Sequence, residues 1–140
     1  MVALKGFFAK LLCAGWLMLA QTAAYGQVSY QIEPVLDGLD TPGAVAPMPG
    51  GGALVTQRGG ALIYYDGERR ISVTGVPKVA VRGQGGLLDI TLARDFATSR
   101  RLYLTYAKPQ GVRGSGTAVA AARLSADGRR LDGVKDLFVM

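Results

Sequence analysis

Histidine is absent from the 140 residues, and cysteine occurs once. Without histidine the chain can supply no imidazole base, no histidine metal ligand and no Ser-His-Asp triad. A single Cys13 forms no internal disulfide and no thiolate zinc cluster. Charge is sparse, with 19% Asp, Glu, Lys and Arg and a net charge of +6. No basic run exceeds two residues, as in Arg69-Arg70 or Arg100-Arg101. Scattered cations fit a solvated surface rather than a nucleic-acid stripe, so no nucleic-acid partner is expected. There is no Gly-Lys-Ser/Thr, and therefore no P-loop. Any enzymatic chemistry must come from a cofactor, from residues other than histidine, or from sequence outside this stretch.

The one sustained apolar run is Leu11–Ala20, preceded by Lys5 and Lys10 and followed by the small residues Ala24 and Gly26. A basic start, a short apolar core and a small-x-small exit describe a secretory signal peptide over residues 1–26. An uncleaved anchor is the alternative, but the run falls short of the roughly 20 apolar residues that span a bilayer. Cys13 lies inside the core and follows Leu12, which does not suit lipidation. The expectation is an exported protein, periplasmic or extracellular, with no stable membrane anchor. Cleavage after Gly26 would remove Cys13, Trp16, Lys5 and Lys10, leaving a cysteine-free domain over 27–140.

What is abundant is glycine, 20 residues against 6 prolines. From Val28 onward short apolar runs alternate with turn signals at nearly regular spacing, the all-β pattern. The strand candidates are Tyr30–Leu36, Gly43–Pro47, Ala53–Gln57, Ala61–Tyr65, Arg70–Thr74, Leu87–Ala93, Leu102–Ala107, Thr117–Leu124 and Lys135–Met140. Several are rich in β-branched and aromatic residues, which suit a half-buried pleated surface. Pro49-Gly50-Gly51-Gly52, Arg58-Gly59-Gly60, Asp66-Gly67 and Asp127-Gly128 supply the turns. Thr117–Leu124 is alanine-rich and could favour helix, but its length and flanking turns favour a strand. Two antiparallel four-stranded meanders, Gly43–Thr74 and Leu87–Met140, match consecutive propeller blades. Two blades leave faces and edges uncovered, so the chain is expected to be the N-terminal part of a larger propeller. A small complete sandwich or barrel is the alternative.

The chemistry-bearing stretch is Val81–Phe96, VRGQGGLLDITLARDF. Arg82-Gly83-Gln84-Gly85-Gly86 sets a polar amide among three glycines just before a strand. Glycines allow close backbone approach to a ligand, and the Gln84 amide can both donate and accept toward a carbonyl or sugar hydroxyl. An ordinary glycine-rich connection with an exposed Gln is the plainer reading. It is not a dinucleotide fingerprint, since a strand rather than a helix follows.

The run GQGGLLDITLARDF, with ALVTQRGGALIYYDG upstream and GTAVAAARL downstream, resembles the soluble quinoprotein glucose/sorbosone dehydrogenase family from about Leu39 to Met140. That resemblance implies a six-bladed β-propeller that binds pyrroloquinoline quinone (PQQ) and calcium. It implies oxidation of aldose sugars at the anomeric carbon, with a sugar substrate and an unspecified electron acceptor. Gln84 matches the family glutamine beside quinone and substrate. Asp89 is expected to be structural, tying turns together, and Arg58 structural or at the pocket rim. The sequence departs from the family at Gln57, where Glu is common, at Pro42-Gly43-Ala44, where an aromatic often follows the proline, and at Arg94, which replaces the His of an HPDF element. The family's catalytic histidine and most cofactor and calcium ligands would lie beyond Met140, so the piece is expected to be inactive alone, with no catalytic or metal residue of its own. A non-catalytic exported propeller or sandwich that binds carbohydrate or a protein partner is the competing function.

Overall fold

The structure, a computed structural model, describes residues 29–140; the expected signal peptide lies outside them. Among the described residues eight strands form two antiparallel sheets of four, each in simple sequential order. The first holds β1 (Pro42–Pro47), β2 (Ala53–Gln57), β3 (Leu62–Tyr65) and β4 (Arg70–Val73). The second holds β5 (Leu87–Leu92), β6 (Arg101–Pro109), β7 (Ser115–Leu124) and β8 (Leu131–Val139). This is the all-β, two-meander arrangement of adjacent propeller blades that the turn spacing predicted.

Local chemistry explains the turns. Between β3 and β4 the Asp66 carboxylate accepts the amides of Glu68 and Arg69 at 2.9 and 2.7 Å, an Asx-type closure. Those bonds hold its carboxyl below the ordinary carboxylate range. Between β7 and β8, Ser125 and Asp127 accept the amides of Arg129 and Arg130 in the same manner.

The alanine-rich run is strand, as its flanking turns suggested. Ala118, Ala120, Ala122 and Leu124 alternate onto the buried face of β7, with Leu102, Leu104 and Tyr106 beside them on β6. They share one core with Leu54 and Leu62 of the first sheet and Leu87 and Ile90 of β5. One expected strand fails to form: Tyr30–Leu36 is irregular. Tyr30 and Ile32 are almost fully exposed, and Pro34 lacks the amide a ladder needs. A single helical turn, α1 (Phe96–Ser99), joins β5 to β6. It was not anticipated, being too short to show periodicity. Buried Phe96 anchors it, and Arg100 closes it in the left-handed conformation, its guanidinium over the Phe96 ring.

The sheets meet mainly where β5 packs against β1 and β2. Thr56, fully buried on β2, makes the polar joint there. Its hydroxyl accepts the Ala44 amide at 2.9 Å and donates to the Leu88 carbonyl at 3.0 Å. A second tie lies at the outer edge, where the Thr74 amide donates to Arg129 and its carbonyl accepts from Leu131.

Candidate functional site

The ladder slips twice at this joint. The β1–β2 register breaks between Pro42 and Ala44, and the β5–β6 register between Leu87 and Asp89. Bulges re-aim backbone and side chains and are frequent beside active sites. Here the irregular segments face each other: a Cβ at Gly43 would stand 2.8 Å from the Leu88 carbonyl oxygen.

Above this joint lies an open cleft of about 350 Å³, lined by the Thr41–Ala44 segment, Arg58, Gln84 and the Leu87–Asp89 segment. The three side chains singled out from sequence thus share one cleft, Arg58 reaching it from the first sheet and Gln84 and Asp89 from the Val81–Phe96 stretch. Gln84 and Asp89 are exposed and Arg58 is half-buried. Asp89 accepts the amide of its neighbour Ile90 at 2.8 Å, a bond local to β5 that closes no turn.

The glycine loop is held from several sides. The Gly85 amide donates to the Arg82 carbonyl at 2.8 Å, and the Ala107 amide donates to the Gly86 carbonyl at 2.8 Å. From the first sheet the Arg58 guanidinium donates to the Gly83 carbonyl at 3.1 Å. The Arg58 carbonyl accepts the Leu87 amide at 3.0 Å, and the Arg58 amide donates to Thr41 at 3.0 Å. Gly86 is required by this contact: its φ is +151°, and a Cβ there would sit 2.2 Å from the Arg58 carbonyl oxygen. Thr41, Gly43, Thr56 and Leu88 were missed by sequence reasoning. Their roles arise from two bulges and a contact across 32 residues of chain, which no local pattern announces.

Two other features compete for attention. An apolar groove on the first sheet, between Val35, Leu39, Val45, Val55 and Tyr65, offers little polar chemistry, and the Tyr65 hydroxyl already donates to Gly67 at 2.6 Å. On the second sheet Asp136 accepts from the Tyr106 hydroxyl at 2.6 Å and pairs with Lys108. Lys108 and Tyr106 hold the Asp136 carboxyl below its ordinary range. Burial and the Asp136 bond push the Tyr106 phenol far above its own. These groups satisfy one another and lie outside the cleft.

The cleft offers an amide, a guanidinium and a carboxylate against an apolar wall of Pro42, Ala44, Leu87 and Leu88. Among the described residues Arg58 uses its guanidinium on the Gly83 carbonyl alone, leaving donors for an anionic group. This donor set fits a flat, carboxylate-bearing quinone. Among the described residues no three Asp, Glu, Cys or His side chains come together, so side chains of the cleft would supply only part of the six to eight oxygen ligands that calcium takes.

Comparison with known proteins follows the same lines. The family model for glucose/sorbosone dehydrogenase matches residues 39–140. The aldose sugar dehydrogenase YliI of Escherichia coli K12 is 38% identical over 135 residues, covering 94% of this chain and 35% of that protein. The crystal structure of the soluble aldose sugar dehydrogenase of Escherichia coli, in its apo form, superimposes with a TM-score of 0.72 at 42% identity, over 78% of this chain and 32% of that one. The PQQ-bound aldose sugar dehydrogenase of Streptomyces coelicolor gives a TM-score of 0.70 at 26% identity, over 79% and 34%. The chain therefore spans about a third of the length of these relatives. With the two blade-like sheets, the glycine loop and its cleft, the match over residues 39–140 establishes that this chain belongs to the glucose/sorbosone dehydrogenase family.

Proposed function

We propose that this chain forms part of an exported, PQQ-dependent dehydrogenase that oxidises aldose sugars at the anomeric carbon, and that it contributes two blades and one wall of the pocket. The observation that carries the reading is the placement of Gln84. The matched glutamine stands exposed on a braced glycine loop, at a cleft whose donors suit a quinone. The aldose sugar dehydrogenase relatives, one of them PQQ-bound, support the substrate class and the cofactor. The basic start and short apolar core of residues 1–26 support export.

In this reading the quinone, when bound, supplies the hydride acceptor, and the protein supplies binding and orientation. Gln84 donates its amide N–H to a quinone or sugar oxygen. Arg58 places positive charge at the rim, and Leu87 and Leu88 exclude water from one side of the cleft. The chain has no histidine to serve as the base for the anomeric hydroxyl proton, the role that the family resemblance gives to a histidine. That group comes from outside these 140 residues, and the piece alone turns over no sugar.

The test is PQQ titration and dye-linked aldose oxidation with the complete gene product. Saturable PQQ uptake with aldose-dependent dye reduction is the expected result. Gln84→Ala should then lower turnover by about tenfold, the scale of one buried hydrogen bond lost from the reacting complex. No PQQ uptake would refute the dehydrogenase reading and leave a binding propeller. Unchanged kcat and KM in the variant would remove Gln84 from the site.

A further inference from the structure

We propose that Arg58 is a positioning residue for Gln84, a clamp from the first sheet that fixes the glycine loop of the second. This rests on the reading of Gln84 as a cofactor or substrate contact. Gln84 itself cannot be held by packing, since it is exposed and stands among three glycines. Such a segment is conformationally permissive, and a loosely held donor loses much of its value in a reacting complex.

The restraint comes from one residue acting through three groups. The Arg58 guanidinium holds the Gly83 carbonyl on one side of Gln84. The Arg58 carbonyl holds the Leu87 amide on the other. Between them the Arg58 stem lies over Gly86, so close that a Cβ there would stand 2.6 Å from Arg58 Cγ. Arg58 is anchored in turn: its amide donates to Thr41, and it follows Gln57, whose amide and carbonyl close the β2–β3 turn with Ala61 and Gly60. Gln84 is thus bracketed between residues 83 and 87 by a rigid turn of the other sheet. The guanidinium is the only part of this bracket that a side-chain substitution removes cleanly.

Arg58→Met keeps the stem over Gly86 and deletes the donor; Arg58→Lys keeps a single donor. The first readout needs neither cofactor nor activity. In the cofactor-free complete gene product, hydrogen exchange at the Gly85 and Leu87 amides should accelerate about threefold or more in Arg58→Met, with recovery in Arg58→Lys. The second is a double-mutant cycle on kcat with PQQ saturating. Arg58→Met should cost about tenfold when Gln84 is present and less than about twofold in the Gln84→Ala background. Unchanged exchange overturns the clamp. Accelerated exchange with an equal loss of kcat in both backgrounds, or with none, overturns the positioning role while the dehydrogenase reading stands. A protein that takes up no PQQ overturns that reading and with it the positioning role, and the exchange data then speak only to the contact itself.

Discussion

The two sheets share a topology but are built differently. The first uses strands of six, five, four and four residues; the second uses six, nine, ten and nine. Longer strands let the second sheet present a continuous alternating face of Leu and Ala to the core. The first has little length for that, and depends on closed turns and on what it touches. Both buried polar side chains among the described residues, Thr56 and Gln57, belong to its strand β2. The cleft forms at their end of β2, where the shorter sheet leans on β5. Site geometry in this chain is therefore a property of the joint, and substitutions that loosen the joint should matter more than their distance from Gln84 suggests.

The sharpest way to break the joint is Gly86→Ala. The new methyl would meet the Arg58 backbone rather than a yielding side chain end, at a φ that L-residues avoid. We expect a loss of about 3 kcal/mol, combining overpacking with backbone strain, read by denaturant unfolding of the complete gene product. Gly83→Ala, where a Cβ meets nothing but φ is also positive, should cost clearly less. Equal effects at the two glycines would show that conformation, not the contact between sheets, sets the requirement.

Thr56→Val comes next. It keeps the shape but removes the hydroxyl that serves the Ala44 amide and the Leu88 carbonyl. Leaving both backbone groups short of a partner at a buried position should cost about 2 kcal/mol, whereas Thr56→Ser should retain most of the stability. A Val variant as stable as the parent would mean the sheets are joined by apolar packing alone.

These two positions also show what sequence could and could not reveal. Strands were readable wherever apolar residues alternated between glycine turns: Ala53–Gln57 was placed to the residue, and even TAVAAARL resolved correctly because turns bounded it. Tyr30–Leu36 carries the same apolar pattern and forms no strand, since pattern does not provide a neighbour to pair with. Gln84 was legible chiefly through its match to the family glutamine, because an amide among glycines also reads as an ordinary loop. The Arg58 contact with Gly83 and the Thr56 contact with Leu88 join residues 25 and 32 apart. They depend on the relative placement of two sheets, which composition and spacing do not encode.

The second sheet offers a contrasting test, because its polar cluster lies outside the joint. Tyr106→Phe removes one hydrogen bond to Asp136 and should cost about 1 kcal/mol at neutral pH. The pH dependence carries a sign. The Tyr106 phenol is raised in the folded state, so its contribution is intact below the ordinary tyrosine value near pH 10 and declines as pH rises beyond it. The parent should therefore lose stability on the alkaline side faster than the Phe variant. Asp136 is depressed, so its contribution is intact above the ordinary carboxylate value and disappears as pH falls through its lower folded value. Melting temperatures of both proteins across pH 3–11 check this. Parallel alkaline limbs would remove Tyr106 from the account.

The smallest effect returns to β2. Gln57 is 94% buried, given its 6% exposure, and its side-chain nitrogen finds no partner among the described residues. It follows Thr56, so its side chain points to the opposite face, away from the joint. A buried amide without a partner carries its desolvation cost uncompensated, and an apolar residue of similar length removes that cost. Gln57→Met should leave the fold intact and change stability by between about 0 and +1 kcal/mol, in the stabilising direction. The backbone bonds of Gln57 that close the β2–β3 turn are untouched by the change, so the Arg58 bracket should hold and the Gly85 and Leu87 amides should exchange at parental rates. A loss of stability would mean that the amide meets a partner in the complete gene product. The buried polar pair on β2 would then serve two joints, one on each face of the shorter sheet.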